Sequence, residues 1–159
     1  MKTLILMRHA KADPQDMLCK DYDRKLQSRG ISDAKSAGRM LLKRKFIIDK
    51  LISSPAVRAI QTAEIIRKKL GKNLKSWSIR QGVYSADSHE IMKIICQTSR
   101  TVNSLMLIGH NPVLDEIASL LSKHAYHLKT AETVLFKFKE DEWGEIFKTE
   151  PIKINCLNS

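Results

Sequence analysis

The apolar positions of this chain fall into two patterns. Residues 2–7, 50–53 and 104–108 hold short, nearly continuous runs such as Leu4-Ile5-Leu6 and Leu105-Met106-Leu107-Ile108, each bounded by polar or turn residues, and they read as buried strands. Between them the apolar residues recur at helical spacing. Ala56, Ala59, Ile60, Ala63, Ile66 and Leu70 form one stripe that ends at Gly71, and Val113, Leu114, Ile117, Leu120 and Leu121 form another. Ser54-Pro55 and Asn111-Pro112 each set a capping side chain before a proline, so both helices are expected to open at the proline, directly after a strand.

A further helix is predicted over 30–44, with Ala34, Ala37, Met40 and Leu41 facing inward and a cap at Ser28. Asp87-Ser88-His89-Glu90 matches a capping box ahead of Ile91, Ile94 and Ile95. From 133 to 139 the pattern switches to alternation, with Val134, Phe136 and Phe138 between polar residues. A turn over 141–144 and a resumption over 145–148 predict a hairpin at the edge of the sheet. Strand and helix thus alternate for most of the length. The expected fold is α/β in three layers: a largely parallel central sheet, helices on both faces and a C-terminal antiparallel hairpin, in a single domain over 1–159.

Composition narrows the classes. The chain has 159 residues and 43% apolar content, enough for one core, and no run approaches the roughly 18–20 continuous apolar residues of a membrane span. Residues 2–7 are too short for a signal-peptide core, so a cytoplasmic location is expected. Cys19, Cys96 and Cys156 are odd in number and lack a CxxC pattern, which points to neither a disulfide frame nor zinc. The formal charge of +11 invites a nucleic-acid reading. Its distribution weakens that reading, because Lys43-Arg44-Lys45 and Arg67-Lys68-Lys69 fall at predicted helix ends, where cations complement the dipole, and no known nucleic-acid module is present. Neither a nucleic acid nor a membrane is expected as partner.

The chemistry gathers where strands give way to loops, the edge at which open α/β sheets bind ligands. Arg8 and His9 follow the first run, Arg58 follows the second, and His110 follows the third. Singly, a strand-end arginine reads as a surface ion pair and a lone histidine as a satisfied structural group. Together at three successive junctions they describe a phosphate site. Two guanidinium forks suit a phosphoryl dianion without a metal, and a neutral imidazole has a lone pair for attack on phosphorus. The second histidine, beside a bound dianion, is expected to be charged and to donate to the phosphoryl oxygens. Asp21 reads equally as an acid or base and as a solvated carboxylate paired with Arg24; Asp23 is the weaker candidate. His124 and His127 stand without ligands at metal spacing, His89 reads as a first-turn residue, and Tyr84 reads as packing before pocket wall.

Arg8-His9-Ala10-Lys11-Ala12, Ser54-Pro55-Ala56-Val57-Arg58-Ala59-Ile60-Gln61-Thr62-Ala63 and Gly109-His110-Asn111-Pro112 resemble the signature blocks of the histidine phosphatase superfamily, and within it the small SixA-type phosphohistidine phosphatases. Asp21 to Leu26 with Arg29-Gly30, and Thr130-Ala131-Glu132 before Trp143, extend the likeness over nearly the whole chain. The resemblance implies a phosphoglycerate-mutase-like fold in which His9 is the phosphorylated nucleophile, Arg8 and Arg58 clamp the phosphoryl group, His110 stabilises the transferring charge and Asp21 is a further polar participant. It implies no metal and no cofactor.

Two departures bear on substrate. Ala10 stands where glycine often follows the histidine. More usefully, residues 78–84 offer no carboxylate and the chain has no room for a lid, whereas larger members carry a general acid on such an insertion. A phosphorylated imidazole leaves without that help once its ring is protonated. The expected substrate is therefore phosphohistidine in a protein, such as a phosphotransfer domain. The alternatives are a small-molecule or phosphoserine phosphatase on the same scaffold and an inactive phosphoprotein-binding module.

Overall fold

The structure, a computed structural model, describes residues 1–14, 17–85 and 87–157. Six strands form one sheet: β1 (Lys2–Arg8), β2 (Lys50–Ser53), β3 (Trp77–Ile79), β4 (Ser104–Gly109), β5 (Thr133–Phe138) and β6 (Lys153–Cys156). Their order is β3-β2-β4-β1-β5-β6. The first four run parallel, β5 is antiparallel to β1, and β6 is antiparallel to β5. The longer helices are α1 (Ser28–Lys43), α2 (Val57–Leu70), α3 (Ser88–Cys96) and α4 (Val113–Ser122). No helix among the described residues is long and apolar enough to cross a membrane.

The continuous apolar runs are explained by burial on both sides. Successive side chains of a strand point to opposite faces, so a strand inside a covered sheet has no polar face. Leu4, Leu6, Leu105 and Leu107 pack with Ile91, Ile95, Leu114 and Ile117 of α3 and α4. On the other face, Ile5, Met7, Met106 and Ile108 pack with Leu41 of α1 and Ala59, Ala63 and Ile66 of α2. The three-layer architecture is as the pattern predicts.

Several boundaries differ, each for a local reason. Helix α2 begins at Val57 with Ala56 as its cap, because the Ser54 side chain is turned inward and accepts from the Ala56 amide outside the helix at 3.2 Å. Helix α4 begins at Val113 after Pro112, since Asn111 donates its amide nitrogen to the Leu128 carbonyl at 2.8 Å rather than capping. Helix α1 includes Ser28, with Gln27 at its cap position. Asp87 does cap α3, its Oδ1 accepting from the Glu90 amide at 2.9 Å. The second hairpin strand is Lys153–Cys156, not 145–148. Trp143 and Ile146 are drawn into the core instead, with Trp143 Nε1 donating to the Val102 carbonyl, and the segment forms a short 3₁₀ turn. Strand β3 has only three residues and no alternation to reveal it. Beside it, Arg67 lies 4.8 Å over the Trp77 ring, an aromatic contact to one of the basic runs.

Gly30 fixes the approach of α1 to the loop that follows β1. A Cβ there would stand 2.0 Å from the Lys11 carbonyl oxygen, a backbone atom that cannot move alone. Gly30→Ala should therefore lower stability by at least the roughly 1–3 kcal/mol typical of overpacking, read as a drop in the urea midpoint.

Candidate active site

Strand register builds the site. Arg8 of β1 lies opposite Gly109 of β4, and Ser53 of β2 lies opposite Ile108, so His9, His110 and Ser54 leave three adjacent strands at one level. Backbone bonds extend the alignment past the strand ends, His9 N–H to the Gly109 carbonyl and Ser54 N–H to the Ile108 carbonyl, both 3.0 Å. Arg58 comes from the first turn of α2. One turn later Thr62 Oγ1 donates to the Arg58 carbonyl at 2.7 Å and accepts the Ala10 amide at 3.0 Å, tying that helix to the residue after His9.

Hydrogen-bond chemistry assigns the imidazole protons. A carbonyl only accepts, so His9 Nδ1, 2.8 Å from the Ala10 oxygen, bears the hydrogen and Nε2 is the free base. An arginine only donates. Arg58 Nε donates to His9 Nε2 and Arg58 Nη2 to His110 Nδ1, each at 3.2 Å, so His110 carries its hydrogen on Nε2, which meets Ser54 Oγ at 2.7 Å. Two imidazole lone pairs thus converge on one buried guanidinium, with ring centroids 5.1 Å apart.

Asp21 is the counter-charge. Its Oδ2 accepts from Arg58 Nη2 at 3.1 Å and from the Tyr84 hydroxyl at 2.9 Å, its Oδ1 pairs with Arg24, and its carbonyl accepts from Arg58 Nη1 at 2.7 Å. The expected Arg24 pair is present, but it is shared with Arg58. Arg8 donates through Nη1 to the Leu128 carbonyl at 3.1 Å, while its buried Nε has no hydrogen-bond partner among the described residues. These residues line a cleft of about 670 Å³, so the five sequence candidates Arg8, His9, Arg58, His110 and Asp21 meet in one place. His127 instead pairs with Asp115, neither of them among the residues lining the cleft, and His89 is exposed. In the sequence Ser54 reads as a helix cap and Tyr84 as packing before pocket wall. Only the spatial pairing of Ser54 with His110 and of Tyr84 with Asp21 shows their polar roles.

Comparison with known proteins identifies the family. The profile of the Histidine phosphatase superfamily (branch 1) matches residues 4–80. An uncharacterized protein of Mycobacterium tuberculosis is 30% identical over 116 residues, covering 73% of this chain and 70% of that protein. The chain belongs to the histidine phosphatase superfamily. Two solved structures share the fold: one from Agrobacterium tumefaciens assigned as phosphohistidine phosphatase SixA, with a TM-score of 0.82, 21% identity and 97% of each chain covered, and a protein histidine phosphatase SixA complexed with tungstate, with a TM-score of 0.76, 21% identity and coverage of 86% and 88%.

In this superfamily member the electrostatics favour neutral imidazoles. Burial first, then the charges of Arg58 and Arg8, hold His9 down to about 4. Burial, followed by His9 and Arg58, pushes His110 down to about 3. The charged second histidine expected beside a dianion is therefore neutral in this state. Asp21 goes the other way from what burial alone would do: desolvation raises it, but Tyr84, Arg58 and Arg24 together bring it below the usual carboxylate range. It is an anion at neutral pH.

Both rings bind protons less readily folded than unfolded, where the reference value is about 6.5, so their contribution to stability is complete above that pH and is lost as pH falls toward 4. Between pH 7.5 and 5 the His9 contribution alone should cost about 2 kcal/mol, measured by urea unfolding, and His9→Gln should remove that part of the slope.

Proposed function

We propose that this chain is a metal-independent phosphohistidine phosphatase acting on a phosphorylated protein through a covalent phosphohistidine at His9. The observation that carries the reading is the state of Asp21. It is the one carboxylate among the described residues lining the cleft, and it is ionised and tied to Arg58, Arg24 and Tyr84. A group in that state has no proton to give an alkoxide. A leaving group that departs unaided fits, and an imidazole protonated on its second nitrogen leaves as a neutral ring.

The steps follow from the atoms in place. His9 Nε2 attacks phosphorus, an N–P bond forms, and the substrate's own N–P bond breaks with its electron pair going to the departing imidazole. Water then attacks the phosphoenzyme, its oxygen bonding to phosphorus as the electron pair returns to Nε2 and a proton passes to solvent. The Ala10 carbonyl keeps Nδ1–H in place through both steps, so the same nitrogen serves twice. Arg8 and Arg58 supply the positive charge that a metal supplies elsewhere. The link from β3 to α3 spans only 80–87, too short for a covering insertion, and suits a macromolecular substrate. A SixA protein of the same fold is complexed with tungstate, a tetrahedral oxyanion, which supports a phosphoryl ligand at this cleft.

Hydrolysis of phosphohistidine and phosphoserine peptides should be compared with and without chelator. Phosphohistidine turnover should exceed phosphoserine turnover, persist in chelator and vanish in His9→Ala. A preference for phosphoserine would return the reading to a phosphomonoester hydrolase on the same scaffold.

A further inference from the structure

We propose that Ser54 is a positioning residue: its hydroxyl oxygen holds His110 Nε2–H, so that Nδ1 faces the phosphoryl group and accepts a proton when an oxyanion binds. The inference rests on the phosphatase reading only in placing the oxyanion beside Arg58.

Ser54 is fully buried, and its Oγ sits 2.7 Å from His110 Nε2 while accepting the Ala56 amide at 3.2 Å. The donor to His110 Nδ1 is Arg58 Nη2 at 3.2 Å. An oxyanion that recruits this Nη2–H leaves the Nδ1 lone pair facing negative oxygen. Repulsion becomes a hydrogen bond when Nδ1 gains a proton from solvent, and that imidazolium needs an acceptor for its second N–H. Ser54 Oγ provides it. The other groups facing His110 do not: His9 and Tyr84 meet it ring to ring, Arg58 is a cation, and the Asp21 carboxylate is taken up by Arg58, Arg24 and Tyr84. In the empty site burial and the neighbouring positive charge keep the ring neutral, so the proton enters with the anion and leaves with it.

Two readouts separate this from a structural role. Sulfate, a dianion that does not titrate above pH 6, should bind the wild-type protein more tightly as pH falls from 9 to 6, approaching tenfold per unit. In Ser54→Ala and Ser54→Cys the imidazolium loses its acceptor, a loss on the order of tenfold to a hundredfold for a hydrogen bond to a charged group. The pH range of sulfate binding should therefore move down by at least about one unit, which equals that lower tenfold limit. On N-phosphoimidazole the alkaline limb of kcat should move down with it, with KM changed less than kcat. Ser54→Cys keeps the buried volume and serves if the alanine variant does not fold. A sulfate affinity independent of pH, or a pH range unmoved in Ser54→Cys, overturns the inference. Wild-type protein that shows the sulfate behaviour but no turnover of N-phosphoimidazole overturns only the substrate reading.

Discussion

The parallel pairing of β1 with β4 is the constraint on which the site depends. Because Arg8 lies opposite Gly109, the residues that follow each strand, His9 and His110, emerge side by side at the carboxyl edge of the sheet. A shift of one position along the pairing would turn every apolar side chain of β1 toward the wrong layer. Leu4 and Leu6 belong to one core and Ile5 and Met7 to the other, so each side chain has its own neighbours and the register is held by both. The distance between the two imidazoles is in this sense set by leucines and isoleucines far from any chemistry.

Arg58 gives that alignment its charge, and it does so at an energetic disadvantage. A buried guanidinium is costly unless its hydrogens are used. Here two of its partners are imidazole lone pairs, one is the Asp21 main-chain carbonyl and one is Oδ2 of the Asp21 carboxylate, and only the last brings negative charge. The cation is consequently under-neutralised by its surroundings. The same excess of positive potential that suppresses protonation of His9 is what a phosphoryl group would meet on arrival.

Much of this was legible along the chain, and the failures are instructive. The buried strands could be read because β1, β2 and β4 have few polar residues to confuse the pattern. Arg8, His9, Arg58 and His110 could be read because each follows such a run, and sequence position then implies spatial position. Strand β3 was invisible, being three residues that pair only with β2. The tail differs because Ile146 and Phe147, within 145–148, look like strand residues by composition, yet Ile146 joins Trp143 in the core that α3 and the sheet share. Ser54 and Tyr84 have local explanations as a cap and as packing. What makes them part of the site are partners 56 and 63 residues away, a relation no window of sequence contains.

Thr62 links the Arg58 carbonyl to the Ala10 amide through a single hydroxyl. His9 and Arg58 are thereby bridged, one through the strand end and the other through the helix. A tilt of α2 against the sheet would have to stretch that bridge before it could change the spacing of His9 and Arg58. The gap between base and guanidinium is therefore guarded from behind, by a buried hydroxyl that is not among the residues lining the cleft.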